Sequence, residues 1–179
     1  MQRPPSSAPS LVFAIPEYRD MQAQLCAAGH EPGELHIDTF PDGERYMRIA
    51  SEVDGRDVVL VGGTISDAAT LMLFDLGCAL VRYGARRLTL LVPYYGYATM
   101  ERAVHRGEVV TAKTRAVLLS SIPPACYGNR IFLLDLHAEG IPHYFEGGLT
   151  AFHVYAKPVL REVITRVGGA DFVLACTDA

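Results

Sequence analysis

NRIFLLDLHAE, residues 129–139, is an apolar run that ends abruptly in an acid, a histidine and a second acid. Residues 131–134 are continuously apolar, show no helical period and are too few for a helix, which predicts a strand buried on both faces of a parallel sheet. Asp135 and His137 come just past its end. In extended chain, positions two apart project to one side, so the carboxylate and the imidazole are expected to face one cleft. Open α/β sheets bind their ligands there, at the carboxyl ends of the strands. A hydrogen-bonded loop anchor would have the same composition, so the pair alone leaves a ligand, metal or structural role open.

The same signal recurs on either side of this run. LVFAI (11–15), DVVLVGG (57–63), RLTLLVP (87–93) and DFVLACT (171–177) read as further buried strands, and GLTAF (148–152) as a short one. Helices are expected between them: from Pro16 to a stop at Gly29, from Asp67 to about residue 83, from near Thr111, and from about Ala156 with Leu160, Val163, Ile164 and Val167 on one face. Ser66 or Thr64 is positioned to cap the second of these, since the glycines before it lack the spacing of a phosphate-binding loop. Strand, small residues and helix in alternation define an α/β fold with a mostly parallel sheet flanked by helices. Residues 34–50 interrupt the pattern: ELHIDTF and ERYMRIA alternate about the turn PDG and predict a β-hairpin with Phe40, Asp42 and Glu44 at or beside its tip.

Composition sets the outer limits. The 179 residues suit one domain, half of them are apolar, and 16 Lys and Arg against 20 Asp and Glu give a net charge of −4. That balance offers no general attraction for nucleic acid, and an anionic ligand would need local donors. Cys26, Cys78, Cys126 and Cys176 are widely spaced, lack zinc patterns, and are expected to be buried free thiols of a cytoplasmic protein. No apolar run approaches membrane-spanning length, and residues 1–10, MQRPPSSAPS, lack a signal core and are expected to form a disordered leader. The longest loop, PYYGYATMERAVHRGEVV, carries Tyr94, Tyr95, Tyr97, Glu101, Arg102, His105, Arg106 and Glu108 ahead of Lys113. Such loops tend to be functional, though tyrosines packing the loop down and solvated arginines would look alike.

Taken together, FPDGERYMRI, PYYGYATMER, GEVVTAKTRAVLLSS, DLHAEGIPHYFE and the closing TDA resemble the ribose-phosphate pyrophosphokinase (phosphoribosyl pyrophosphate synthetase) family. The likeness covers that family's amino-terminal domain, here residues 11–179, and by this resemblance a second, similar domain is expected to be missing. It implies a phosphoribosyltransferase-like fold and a diphosphokinase reaction: diphosphate passes from MgATP to ribose 5-phosphate, giving phosphoribosyl pyrophosphate and AMP.

By the same resemblance, Phe40, Asp42 and Glu44 match a hairpin that grips adenine, typically in a neighbouring subunit's site, which implies a homo-oligomer. Arg102 matches a triphosphate or base contact with a catalytic role, His137 a catalytic residue lying against ATP and among the magnesium-binding residues, and Asp178 a residue at the ribose and metal site. The chain departs from the family at Thr99 and Met100, where an arginine and an amide are usual. This chain alone is expected to be inactive. Two alternatives stand beside the diphosphokinase: a non-catalytic regulatory or scaffolding relative, and a phosphoribosyltransferase that consumes the product.

Overall fold

A computed structural model describes residues 9–169, 172, 173 and 175. Six strands form one all-parallel sheet in the order β2-β1-β5-β6-β7-β8. They are β1 (Leu11–Ala14), β2 (Glu31–Pro32), β5 (Asp57–Val61), β6 (Arg87–Val92), β7 (Asn129–Leu134) and β8 (Leu149–Val154). The hairpin expected over 34–50 is present as the antiparallel pair β3 (Leu35–Thr39) and β4 (Arg45–Ile49).

Alternation along each strand divides the apolar residues between two layers. Phe13, Leu60, Leu88, Leu90, Ile131 and Leu133 face a layer formed with α2 (Asp67–Arg82), α3 (Thr111–Ser120) and the inner side of the hairpin. Val12, Ala14 and Val61 face α1 (Arg19–Ala27), where Met21 and Leu25 meet them. Ser66 caps α2 by accepting a hydrogen bond from the Ala69 N–H at 3.1 Å, as expected, whereas Thr64 has another role, described below.

Three expectations change, and one is met without burial. In the organising strand, Ile131 and Leu133 are fully buried, while Phe132 and Leu134 are half-buried, because α1 covers the second face at β1 and β5 and does not extend to β7. The short strand expected at 148–152 runs further, to Val154, as its register with β7 continues. Helix α4 (Lys157–Gly168) forms as the apolar spacing predicts, but it buries none of its residues, and Leu160 and Val167 are exposed. Of the thiols, Cys26 and Cys78 are half-buried and Cys126 is exposed, since Cys126 lies in the turn before β7 rather than in the core; Cys176 lies outside the described residues.

The strand expected over 171–177 falls largely outside the described residues. Within it Phe172, Val173 and Ala175 are exposed and carry no strand. The first eight residues are likewise outside, and Ser10 already engages the fold, its N–H donating to His30 Nδ1 at 3.3 Å and its carbonyl accepting from the Glu31 N–H. Among the described residues, no helix is long and apolar enough to cross a membrane.

Candidate functional site at the carboxyl ends of β6 and β7

Parallel strands all end on one rim, and the loops leaving β6 and β7 enclose a cavity of about 480 Å³ there. Pro93, Tyr94, Tyr95, Tyr97, Ala98 and Thr99 line one side, and Leu134, Asp135, Leu136 and His137 the other. Asp135 and His137 thus share an opening, as their spacing suggested, although the route differs. Asp135 has a φ of 41°, so the chain leaves β7 through a left-handed turn instead of continuing extended.

Backbone hydrogen-bonding demand explains how this turn is held. The Asp135 N–H donates to the Val154 carbonyl at 2.9 Å, and its Oδ1 accepts the Ala156 N–H at 2.8 Å, just ahead of α4. The Leu136 N–H donates to His153 Nε2 at 3.0 Å, and the Tyr155 hydroxyl donates to Glu139 Oε1 at 2.9 Å. That last bond raises the Tyr155 pKa, since the carboxylate holds the phenolic proton. His137 lies between these fixed points, exposed, and among the described residues it makes no hydrogen bond or ion pair of its own.

The opposite wall is built by close approach. The Gly96 N–H donates to buried Thr64 Oγ1 at 2.7 Å, and a Cβ on Gly96 would stand 2.1 Å from the Thr64 carbonyl oxygen. Only glycine permits that contact. The three tyrosines separate by role: Tyr95 is buried with its hydroxyl donating to the Ala112 carbonyl at 2.7 Å, while Tyr94 and Tyr97 are exposed toward the cavity. Burial pushes the Tyr95 pKa well above the usual phenol range. Tyr97, at φ 61°, is fixed by its hydroxyl bond to Asp67 Oδ1 at 2.9 Å and by Arg115, which pairs with Asp67 and lies 5.0 Å over the Tyr97 ring.

The remaining candidates lie elsewhere. Phe40 is exposed at the hairpin tip, edge-on to Tyr46 at 5.7 Å, and Asp42 Oδ1 accepts the Glu44 N–H at 3.0 Å in a turn. None of Phe40, Asp42 and Glu44 lines the cavity. Arg102 is 78% exposed, 3.4 Å from Glu101, and also outside the cavity wall. Glu108 accepts the Val104 and His105 N–H groups, which holds its carboxyl below the ordinary range and makes it a loop brace. Asp178 lies outside the described residues. Among those described, no three His, Cys, Asp or Glu side chains are gathered so as to hold a metal ion. Sequence reasoning did not single out His153, Tyr155 or Arg115; alternation in LTAFHVY was the available signal for the first two.

A parallel sheet flanked by helices, with a strand-end cavity and a separate hairpin, defines an open α/β ligand-binding domain. Comparison with known proteins narrows the class: residues 10–122 match the N-terminal domain of ribose phosphate pyrophosphokinase, and the chain belongs to that family. A ribose-phosphate pyrophosphokinase of Rhodopirellula baltica is 31% identical over 93% of this chain and 52% of the relative. One of Gloeobacter violaceus is 37% identical over 87% and 46%. The crystal structure of phosphoribosylpyrophosphate synthetase from Mycobacterium smegmatis superposes with a TM-score of 0.72 at 26% identity, covering 88% of this chain and 52% of that one. The chain spans about half the length of the curated relatives it matches.

Proposed function

We propose that residues 11–179 form the nucleotide-side, amino-terminal domain of a ribose-phosphate diphosphokinase. The observation that supports this reading is the cavity itself: in a chain of this family, an unpartnered histidine and two exposed tyrosines converge where an α/β sheet receives ligands. His137 would lie against the triphosphate, donating to phosphate oxygen, while Tyr94 offers aromatic surface and a hydroxyl donor and Tyr97, its hydroxyl held by Asp67, offers ring surface. Magnesium prefers oxygen ligands, and the described cavity wall offers one carboxylate, Asp135, whose Oδ1 already accepts the Ala156 N–H, so the ion would arrive with the nucleotide and neutralise phosphate charge there. Phe40, Asp42 and Glu44, none of which lines this cavity, suit adenine held in the site of a neighbouring copy. Arg102 would reach the phosphates from its loop, and Asp178 would contribute on the ribose 5-phosphate and metal side.

In the reaction, the anomeric hydroxyl of ribose 5-phosphate attacks the β-phosphorus of ATP and AMP leaves. The protein's part is alignment and charge stabilisation. The test is calorimetric titration of MgATP into the chain and into His137→Ala. We expect saturable binding that the substitution weakens roughly tenfold, about 1.4 kcal/mol. No saturable binding by the unsubstituted chain would overturn the reading.

Thr99 and Met100, with Arg102 turned to solvent, favour a second reading: a non-catalytic relative that associates with an active synthetase. Mixing the two and measuring sedimentation and rate decides it; unchanged values of both remove it.

A further inference from the structure

We infer that His153 is a positioning residue for the candidate nucleotide site: its imidazole takes the Leu136 N–H and thereby sets how His137 enters the cavity. The inference rests on the functional reading above and deepens it.

The need for such a residue starts in the ladder. Strands β7 and β8 pair in register through Leu133 with His153 and Leu134 with Val154, and the Asp135 N–H still finds the Val154 carbonyl. Along a parallel ladder successive N–H groups face opposite neighbours, so in an extended chain the Leu136 N–H would face β6, which has ended at Val92; past the left-handed turn at Asp135 this donor has no backbone partner among the described residues. His153 Nε2, at 3.0 Å, accepts from it instead. In this bond Nε2 is the acceptor, which leaves Nδ1 as the ring's donor position.

The ring is itself held. Its centroid is 4.0 Å from that of Tyr155, and Tyr155 reaches across to Glu139. Asp135 and Glu139, the two acids of the turn, are thus committed to the Ala156 N–H and the Tyr155 hydroxyl. The end of β8 fixes the turn at residues 135, 136 and 139, and His137 projects from between those anchors. Without the His153 bond, the anchor adjacent to His137 is gone while the outer two persist, so the histidine gains freedom without the sheet being disturbed.

The experiment uses the full chain, isotopically labelled. A scalar coupling across the Leu136 N–H···N bond to His153 Nε2 is expected in the free protein. His153→Leu should displace the His137 ring resonances and weaken MgATP binding roughly tenfold, whereas His153→Gln, which offers an amide oxygen to the same N–H, should restore most of both. The proposal is overturned if the coupling is missing, if His153→Leu matches the unsubstituted chain in both readouts, or if His153→Gln falls as far as His153→Leu. Should His153→Leu fail to fold, the coupling and the His153→Gln result decide. If the unsubstituted chain binds no MgATP while the coupling and ring shifts behave as stated, the nucleotide reading fails and the positioning of His137 stands.

Discussion

Gly96 and Tyr95 show how single residues shape the wall of the cavity. Gly96→Ala would force a methyl group to 2.1 Å from a backbone oxygen that cannot yield without moving the loop after β5. We expect a loss of about 2 kcal/mol or more in urea unfolding, since overpacking against backbone is costly. Tyr95→Phe removes one hydroxyl from a buried site and leaves the Ala112 carbonyl short of a donor. A loss of about 1–2 kcal/mol is expected by the same measurement, with the fold intact. A Tyr95→Phe variant as stable as the parent would mean that the hydroxyl bond contributes nothing to holding the loop on α3.

Among the elements, α2 and α4 form an instructive contrast. Both are apolar at helical spacing, yet α2 buries Leu73, Leu76 and Leu80 against the sheet, while α4 buries nothing. Leu73→Ala should therefore cost about 2–5 kcal/mol and Leu160→Ala within about 0.5 kcal/mol, each read from the urea midpoint. A large loss on Leu160→Ala would show that the α4 face is covered in solution. This is also where legibility in the sequence ends. Periodicity reports which face of a helix is apolar, not whether anything meets it, so α4 was readable as a helix and its exposure was not. The buried strands, the hairpin at PDG and the Ser66 cap were readable because each depends on neighbours in sequence. The His153 bond to Leu136 and the Arg115 pair with Asp67 join residues 17 and 48 positions apart, and no local pattern contains them. The cavity was half legible: a strand ending in DLHAE gave Asp135 and His137, while the division of labour among three adjacent tyrosines needed the packing.

Across the whole molecule the two rims of the sheet carry different work. The carboxyl rim holds the cavity; at the amino rim Asp57 opens β5, 2.9 Å from Arg86 and 3.8 Å from Arg87 at the start of β6. The Arg86 hydrogen bond, against a smaller burial effect, lowers the Asp57 pKa below its ordinary value. A carboxyl with a depressed folded pKa contributes stability that is fully present above the unfolded value, about 3.9, and is lost as pH falls through the lower folded value. Asp57→Asn should thus lower stability at neutral pH and flatten the acid limb of a stability profile below about pH 4, with MgATP affinity unchanged. His137→Ala should do the reverse, leaving the acid limb and the urea midpoint within about 0.5 kcal/mol, since an exposed, unbonded ring contributes little to folding. Measuring both quantities on both variants tests the separation directly. If Asp57→Asn weakened nucleotide binding as strongly as His137→Ala, the rims would be coupled through the strands, and the assignment of stability to one and ligand binding to the other would fail.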